Sequence, residues 1–126
     1  MEASTVYKCL SDPERLRILN LLEEGPLCVC HLQEILGTTQ VKMSKQLATM
    51  KRAGFVTATR EGTWMIYRLK SPVSPLLLAN LRHLREADCD ECNRLQHDLI
   101  RRFKVLDQLV TKDESCPDCV CETLNT

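Results

Sequence analysis

The spacing of apolar residues changes abruptly near residue 55, and this change constrains the fold more than any other feature of the sequence. Before it, Met43, Leu47 and Met50 lie at i, i+4 and i+7, which places them on one face of a helix. After it, "FVTATREGTWMIYRL" is rich in β-branched and aromatic residues and has a Glu-Gly pair at its centre. That pattern predicts a hairpin with strands over residues 55–60 and 63–69.

Capping residues predict where the helices before this hairpin begin and end. A short helix is expected over residues 3–10. Asp12 followed by Pro13 predicts the start of the next helix, because Asp is a favoured N-cap and Pro fits the first helical position. Gly25 predicts the end of that helix. A third helix ends at Gly37, and a short turn leads into the fourth, which is a helix-turn-helix arrangement.

Two more helices are predicted after the hairpin. The segment "SPVSP" ends the second strand, and "LLLANLRHLREA" and "CNRLQHDLIRRFKVLDQLV" both have helical spacing. The last helix carries a seam of apolar residues three or four positions apart, which is either a dimer contact or a surface that packs onto the rest of the chain. This apolar seam consists of Leu95, Leu99, Phe103, Leu106 and Val110.

The charges are unevenly distributed, although the 17 basic and 17 acidic residues cancel over the whole chain. Residues 38–70 contain seven basic residues and one acid, a local balance of +6. Residues 86–126 contain ten acids and five bases, a local balance of −5. A basic segment of this kind favours a polyanionic partner.

The order of helix, turn, second helix and basic hairpin is that of a winged helix, a mainly α fold with a β-hairpin wing (α+β). In such a fold the second helix enters the DNA major groove and the wing lies along the backbone or minor groove. Amide, hydroxyl and cationic side chains on these elements suit base edges and phosphates. The candidate DNA-binding residues are Gln40, Lys42, Ser44, Lys45, Gln46, Thr49, Lys51 and Arg52 on or beside the helix, and Arg60 and Arg68 on the wing.

The 126 residues are enough for one domain and its core. The pattern divides the chain into a winged helix-turn-helix unit over 1–87, a dimerisation or packing helix over 88–111, and a flexible, cysteine-rich tail over 112–126. The N-terminus lacks the features of a secretion signal, and no apolar stretch approaches the length of a membrane span. We therefore expect a cytoplasmic protein with no membrane partner.

Eight cysteines in a reducing compartment favour metal ligation or redox chemistry over a disulfide framework. Cys28 and Cys30 lie at the start of the third helix, one residue apart, which is too close for easy disulfide geometry. A helix N-terminus lowers the pKa of a thiol, and thiolates bind soft ions such as As(III), Sb(III), Cd(II), Pb(II) and Cu(I), and also Zn(II). Two such thiolates can bind one ion, and a third ligand must then come from elsewhere.

Five further cysteines lie towards the C-terminus, in "CDEC" and "CPDCVC". They are Cys89, Cys92, Cys116, Cys119 and Cys121. Their two C-x2-C pairs are compatible with a zinc site, a second metalloid site or the missing third thiolate, and the alternative is a thiol-rich tail with no fixed ligand. A dithiol oxidoreductase would need a βαβ setting for its motif. Because "CDEC" lies between two helical patterns, we expect no enzyme.

From "LSDPERLRILNLLEEGPLCVCHLQEILG" through "VKMSKQLATMKRAGFV" to the wing, the sequence resembles the ArsR/SmtB winged-helix repressors, over roughly residues 5–85. Its "LCVCHL" is similar to that family's metal-box pattern "ELCVCDL". The resemblance implies a homodimer, held mainly by the first and fifth helices, that binds inverted-repeat operator DNA and leaves it when metal binds. It also implies that Cys28 and Cys30 are metal ligands.

Two positions depart from that pattern. Arsenite-sensing members often have a third thiol where this chain has Gln33, and many members have Asp where it has His31. We expect His31 to lie on the helix surface, with ligation as the alternative. The sequence thus predicts a repressor that As(III) or Sb(III) releases from double-stranded operator DNA. The alternative is the same architecture responding to Cd(II), Pb(II), Zn(II) or thiol oxidation.

Overall fold

The chain forms a helical domain with a small sheet on one side. The computed structural model describes residues 1–112, with side chains as far as residue 108, so the predicted flexible tail lies almost entirely outside the described residues. The elements in chain order are α1 (Ala3–Leu10), α2 (Pro13–Glu23), β1 (Leu27–Cys28), α3 (Val29–Leu36), α4 (Gln40–Arg52), β2 (Val56–Glu61), β3 (Trp64–Leu69), α5 (Pro75–Glu86) and α6 (Asp90–Lys112).

The helix ends follow from local capping, as the sequence predicts. Asp12 is the N-cap of α2, and its Oδ2 accepts a hydrogen bond from the Arg15 backbone N–H at 3.0 Å. Gly37 ends α3 with a φ of 65°, the left-handed conformation that favours glycine. The Thr39 hydroxyl then caps α4 by accepting from the Lys42 N–H at 3.2 Å. The helix-turn-helix prediction is confirmed.

The sheet contains the predicted wing and one strand that the sequence did not predict. Strands β2 and β3 form an antiparallel hairpin that starts one residue later than predicted. The short strand β1 pairs with the other edge of β3, with Leu27 opposite Tyr67 and Cys28 opposite Ile66. Two residues are too few to show a period, so only the long-range pairing with β3 reveals β1. Because β1 pairs with β3, Cys28 is hydrogen-bonded into the same sheet as the wing.

One hydrophobic core joins all six helices of the described chain. The predicted apolar face of α4, Met43, Leu47 and Met50, is fully buried in it. The same core includes Leu95 and Leu106 of α6. The region over residues 88–111 therefore packs against the winged helix and shares its core.

Helix α6 follows the predicted apolar seam only in part. It lies against α2, α3 and α5, and Leu99 packs partly buried against the core. Phe103, predicted to belong to the same seam, is instead 72% exposed. The buried side of α6 runs instead through Asp98, Val105 and Leu106, and Asp98 pairs with Arg17 of α2. The side chain of Val110 lies outside the described part of the helix.

Candidate functional site

Three potential metal-ligand atoms converge where β1 meets α3. The Sγ atom of Cys28 lies 2.7 Å from Cys30 Sγ and 2.7 Å from His31 Nδ1, and Cys30 Sγ lies 3.7 Å from that nitrogen. All three atoms fall within 4.8 Å of one another. Cys28 and His31 are buried, whereas Cys30 is half-buried. The cluster is therefore accessible to solvent from the Cys30 side.

The local backbone explains why these side chains meet. Cys28 has an extended conformation, with φ −82° and ψ 161°, and is both the last residue of β1 and the N-cap of α3. Cys30 and His31 lie in the first turn of the helix that follows. The change from strand to helix brings the side chain of Cys28 beside those of this first turn. A C-x-C-H sequence at a strand-to-helix junction therefore forms one compact donor group.

The two thiols share a proton unequally. A hydrogen bond from the Cys28 thiol, and then the adjacent His31 imidazole, lower the pKa of Cys30 to about 5. The same hydrogen bond to Cys30, together with burial, raises the pKa of Cys28 above its usual range. At neutral pH Cys30 is therefore the thiolate and Cys28 is the donor. The sequence predicted a lowered pKa for both thiols from the helix N-terminus. The pKa of Cys28 is instead raised, and that of Cys30 is lowered mainly by the neighbouring thiol.

The placement of His31 differs from the sequence prediction. It was expected on the helix surface, but it is 4% exposed and its Nδ1 faces the Cys28 sulphur. The prediction was wrong because α3 packs against α4, α6 and β3 at once, which leaves little of this short helix facing solvent. The structure thus places an imidazole beside the two sulphurs.

The second predicted cysteine pair is arranged differently. Cys89 and Cys92 are joined by a disulfide at the start of α6, contrary to the expectation of reduced thiols. In this state neither sulphur is a thiolate, so the pair does not offer metal ligands. Sequence spacing could not decide this, because C-x-x-C suits both a disulfide and a metal. The other predicted ligands, Cys116, Cys119 and Cys121, lie outside the described residues.

The predicted DNA-binding side chains are mostly at the surface. Those that are exposed on α4 and the wing are Gln40, Lys42, Ser44, Lys45, Lys51, Arg52, Arg60 and Arg68. Thr49 is half-buried, and its hydroxyl donates to the Lys45 carbonyl at 3.0 Å.

Gln46 faces α2. Its Nε2 donates to Asp12 Oδ2 at 2.8 Å, and its Oε1 accepts from Arg15 Nε at 2.9 Å. These bonds hold α4 against the start of α2. In this conformation both ends of the Gln46 amide bond to α2 or its N-cap. The contact joins residues 34 positions apart, so helical periodicity could not predict it.

Val41 is a surface feature of α4 that the sequence prediction omitted. Its side chain is 65% exposed and shares the outer face of the helix with Ser44, Lys45 and Ala48. An apolar side chain among polar neighbours on a recognition helix can contact the methyl group of thymine. Its position in the first turn of the helix, where base contacts concentrate, was the available clue.

Similarity to known proteins decides the family. A profile of "Bacterial regulatory protein, arsR family" matches residues 12–58. The chain is 31% identical over 112 residues to the arsenic resistance transcriptional regulator ArsR2 of Pseudomonas putida, covering 88% of this chain and 94% of the relative. The chain belongs to the ArsR family. It is also 39% identical over 84 residues to ArsR1 of the same organism, which is 66% of each chain.

Solved structures of transcriptional repressors agree with the fold. The repressor BigR of Xylella fastidiosa superposes with a TM-score of 0.61 at 28% identity, over 68% of this chain and 85% of BigR. The antimony-specific repressor AntR superposes with a TM-score of 0.56 at 31% identity, over 64% of this chain and 70% of AntR. This ArsR-family chain is a winged-helix, DNA-binding transcriptional regulator and not an enzyme. Within residues 1–112 no helix is long and apolar enough to cross a membrane.

Proposed function

We propose that this ArsR-family regulator is a repressor that leaves its operator when As(III) or Sb(III) binds the thiolates of Cys28 and Cys30. The observation that carries the proposal is the convergence of these two sulphurs, 2.7 Å apart, at the first helix of the helix-turn-helix. Relatives named as arsenic resistance regulators, and a structural neighbour named as antimony-specific, support a metalloid as the inducer.

The donor set explains the preference for a soft ion. Among the described residues the cluster contains two sulphurs and one imidazole nitrogen and no carboxylate. Thiolates select soft ions. A metalloid that binds three thiolates needs one more sulphur. We propose that the tail supplies it, from among Cys116, Cys119 and Cys121.

The position of the pair connects ligand binding to both DNA-contacting elements. Cys28 is paired through β1 to β3 of the wing. Cys30 belongs to α3, which is joined to the recognition helix α4 by the short turn at Gly37. An ion held by both sulphurs therefore acts on the junction between wing and recognition helix. A shift there changes the angle between the two elements that must fit the DNA together.

We further propose that the repressor is a homodimer that binds an inverted repeat. The Mycobacterium bovis domain Mb0332, a homodimeric winged helix-turn-helix, superposes with a TM-score of 0.51 at 26% identity, over 87% of this chain and 78% of that domain. Two recognition helices in successive major grooves lie about 34 Å apart, one turn of DNA. Tyr7 of α1 is half exposed and is available to a dimer contact on that helix.

A second candidate inducer is a divalent ion such as Zn(II), Cd(II) or Pb(II). The observation that favours it is the buried His31 Nδ1 beside Cys28 Sγ. Imidazole is a good ligand for zinc, and a mixed sulphur and nitrogen set suits four-coordinate divalent ions.

The test is fluorescence anisotropy of operator DNA bound to the reduced protein, titrated with As(III), Sb(III), Zn(II), Cd(II) and Pb(II) at fixed salt. The salt must be fixed because DNA affinity depends steeply on it. Wild type is compared with Cys28→Ser, Cys30→Ser, His31→Gln and a chain ending at Lys112. Cys9→Ala, at a buried cysteine of α1 outside the cluster, is the matched control.

Release by As(III) or Sb(III), lost in both serine variants and kept in Cys9→Ala, would support the metalloid repressor. Loss of that release in the shortened chain would show that the tail supplies the third sulphur. Release only by divalent ions, lost in His31→Gln, would establish the second candidate. If no ion releases the DNA, the cluster is not an ion-responsive switch, and thiol oxidation becomes the trigger to test.

A further inference from the structure

Helix α6 holds the end of α3 that lies opposite the cysteine cluster. The guanidinium of Arg101 donates from Nε to the Ile35 carbonyl at 3.1 Å and from Nη2 to the Glu34 carbonyl at 3.0 Å. Both carbonyls lie in the last turn of α3, where backbone acceptors have no partner within the helix. A cation is also favourable at this end of a helix dipole. Arg101 is thus a C-terminal cap supplied by another helix.

Helix α6 is itself fixed to α2 next to this contact. The carboxylate of Asp98, which is 1% exposed, accepts two hydrogen bonds from the Arg17 guanidinium, at 2.7 and 2.9 Å. The Asn20 side chain donates to the Leu95 carbonyl at 3.2 Å. A bidentate arginine–carboxylate pair gives both strength and fixed geometry. Arg101 therefore extends from a helix that is firmly attached to the body of the domain.

The two ends of α3 have different functions in this arrangement. Its first turn carries the cysteine cluster, and its last turn is held by Arg101 immediately before Gly37 and the turn into α4. Eight residues of helix separate the ends by about 12 Å. A short helix held at one end must tilt when the other end is moved. Without the two hydrogen bonds from Arg101, the last turn of α3 is held by apolar packing alone and frays more easily, and less of the movement then reaches α4.

We propose that Arg101 is a positioning residue that couples inducer binding at Cys28 and Cys30 to release of DNA by α4. It holds the C-terminal end of α3, so that a displacement imposed at the cysteines becomes a rotation at the helix-turn-helix junction. The inference rests on the proposed function, because it concerns the transmission of that signal. Arg101 contacts neither the cysteine cluster nor the DNA-facing side chains of α4 in the described structure.

The test compares three variants in the operator-release assay. Arg101→Ala removes both hydrogen bonds. Arg101→Lys keeps the charge but loses the planar two-pronged donor. Lys104→Ala, one turn later, is the matched control. It removes an exposed cation whose side chain makes no hydrogen bond within residues 1–108. For each variant, operator affinity and As(III) affinity are measured separately, and then operator affinity in saturating As(III).

We expect Arg101→Ala to bind operator and As(III) with affinities within about twofold of wild type, since it touches neither site. The fall in operator affinity caused by As(III) should shrink from the tenfold to hundredfold range typical of allosteric effectors to less than about threefold. Arg101→Lys should give an intermediate value, and Lys104→Ala should match wild type. If As(III) lowers the operator affinity of Arg101→Ala as much as that of wild type, the inference is overturned. The inference would also be overturned if Arg101→Ala without As(III) lost as much operator affinity as As(III) removes from wild type. That result would indicate a merely structural residue.

A second measurement keeps this inference separate from the proposed function. If As(III) fails to release even wild type, the proposed function is wrong, and hydrogen exchange then tests the restraint alone. The Gly37 and Thr38 amides both donate to the Gln33 carbonyl at the end of α3. Faster exchange of these amides in Arg101→Ala than in Lys104→Ala would support the restraint. Equal exchange rates in the two variants would overturn it.

Discussion

The two sulphurs of the cysteine cluster differ in protonation although they lie one residue apart. Cys30 is half-buried and accepts a hydrogen bond from the Cys28 thiol, whereas Cys28 is fully buried beside His31. A thiolate that is already formed and open to solvent is the reactive partner for an incoming electrophilic ion. The buried thiol must then give up its proton before it can bind the same ion. This division of roles gives Cys30 the first contact with an inducer.

Alkylation of Cys30 tests this unequal protonation. Because the hydrogen bond from Cys28 lowers the pKa of Cys30 to about 5, its thiolate is present at all pH values well above 5 and is lost as the pH falls below it. The iodoacetamide rate at Cys30, followed by peptide mass spectrometry, should therefore be nearly constant between pH 6.5 and 8. In Cys28→Ala the rate should rise with pH over the same interval, because the largest cause of the lowered Cys30 pKa is removed. A tenfold rise per unit in wild type would contradict the assignment.

Val41 is an exposed apolar side chain of α4, and a contact with DNA can be tested at it directly. If its methyl groups contact thymine, replacing one operator thymine by deoxyuridine should weaken wild-type binding about fourfold, since one methyl group is worth about 0.8 kcal/mol. Val41→Ala should bind more weakly and respond little to the same replacement. Scanning deoxyuridine through each half-site measures this. Equal sensitivity of both proteins at every thymine would exclude the contact.

The sequence predicts well where the helices begin and end. It predicts poorly which distant parts of the chain each helix contacts. Asp12, Thr39 and Gly37 set helix ends through local bonds, and local chemistry is visible in sequence. Strand β1 and the burial of His31 depend on partners far along the chain, so no periodicity shows them. The disulfide between Cys89 and Cys92 was missed because the expectation came from the compartment and not from local geometry.

Two adjacent residues of α4 should differ in what their loss does to DNA binding. Lys45→Ala removes an exposed cation and should reduce the salt dependence of binding by about one unit in the log–log slope. Gln46→Ala removes bonds to Asp12 and Arg15, and each such bond contributes about 1 kcal/mol to stability. It should lower the melting temperature and leave the salt slope unchanged. Operator titrations at several salt concentrations, with thermal melts, distinguish the two. A changed slope in Gln46→Ala would mean that its side chain contacts DNA.

At the scale of the whole molecule, α6 is part of the folded domain. The sequence pattern predicted a division at residue 87, between the winged helix-turn-helix unit and a dimerisation or packing helix. The structure puts Leu95 and Leu106 of α6 in the same core as α2 and α4. The Arg17–Asp98 pair adds a largely buried ionic contact between α2 and α6. We therefore expect α6 and the winged helix to unfold together in one cooperative transition.

Asp98→Ala tests whether α6 and the winged helix unfold together. Removing the carboxylate leaves the Arg17 guanidinium largely buried without its partner, and breaking a buried pair in this way costs about 3 kcal/mol. Urea unfolding should show one transition at a lower midpoint with the same slope. Glu86→Ala, which removes an exposed acid of α5, should leave the midpoint nearly unchanged. Two separate transitions, or an unchanged midpoint in Asp98→Ala, would show that α6 is an appendage.

The central claim is that ligand binding at Cys28 and Cys30 and operator binding oppose each other, and its most direct test is reciprocity. Coupling between two binding sites must be equal in both directions. We would measure the As(III) affinity of the reduced protein, free and saturated with operator DNA, at one salt concentration. The account predicts that operator weakens As(III) binding by the same factor by which As(III) weakens operator binding, and that Cys28→Ser/Cys30→Ser abolishes both effects. An As(III) affinity that is identical with and without operator would contradict it.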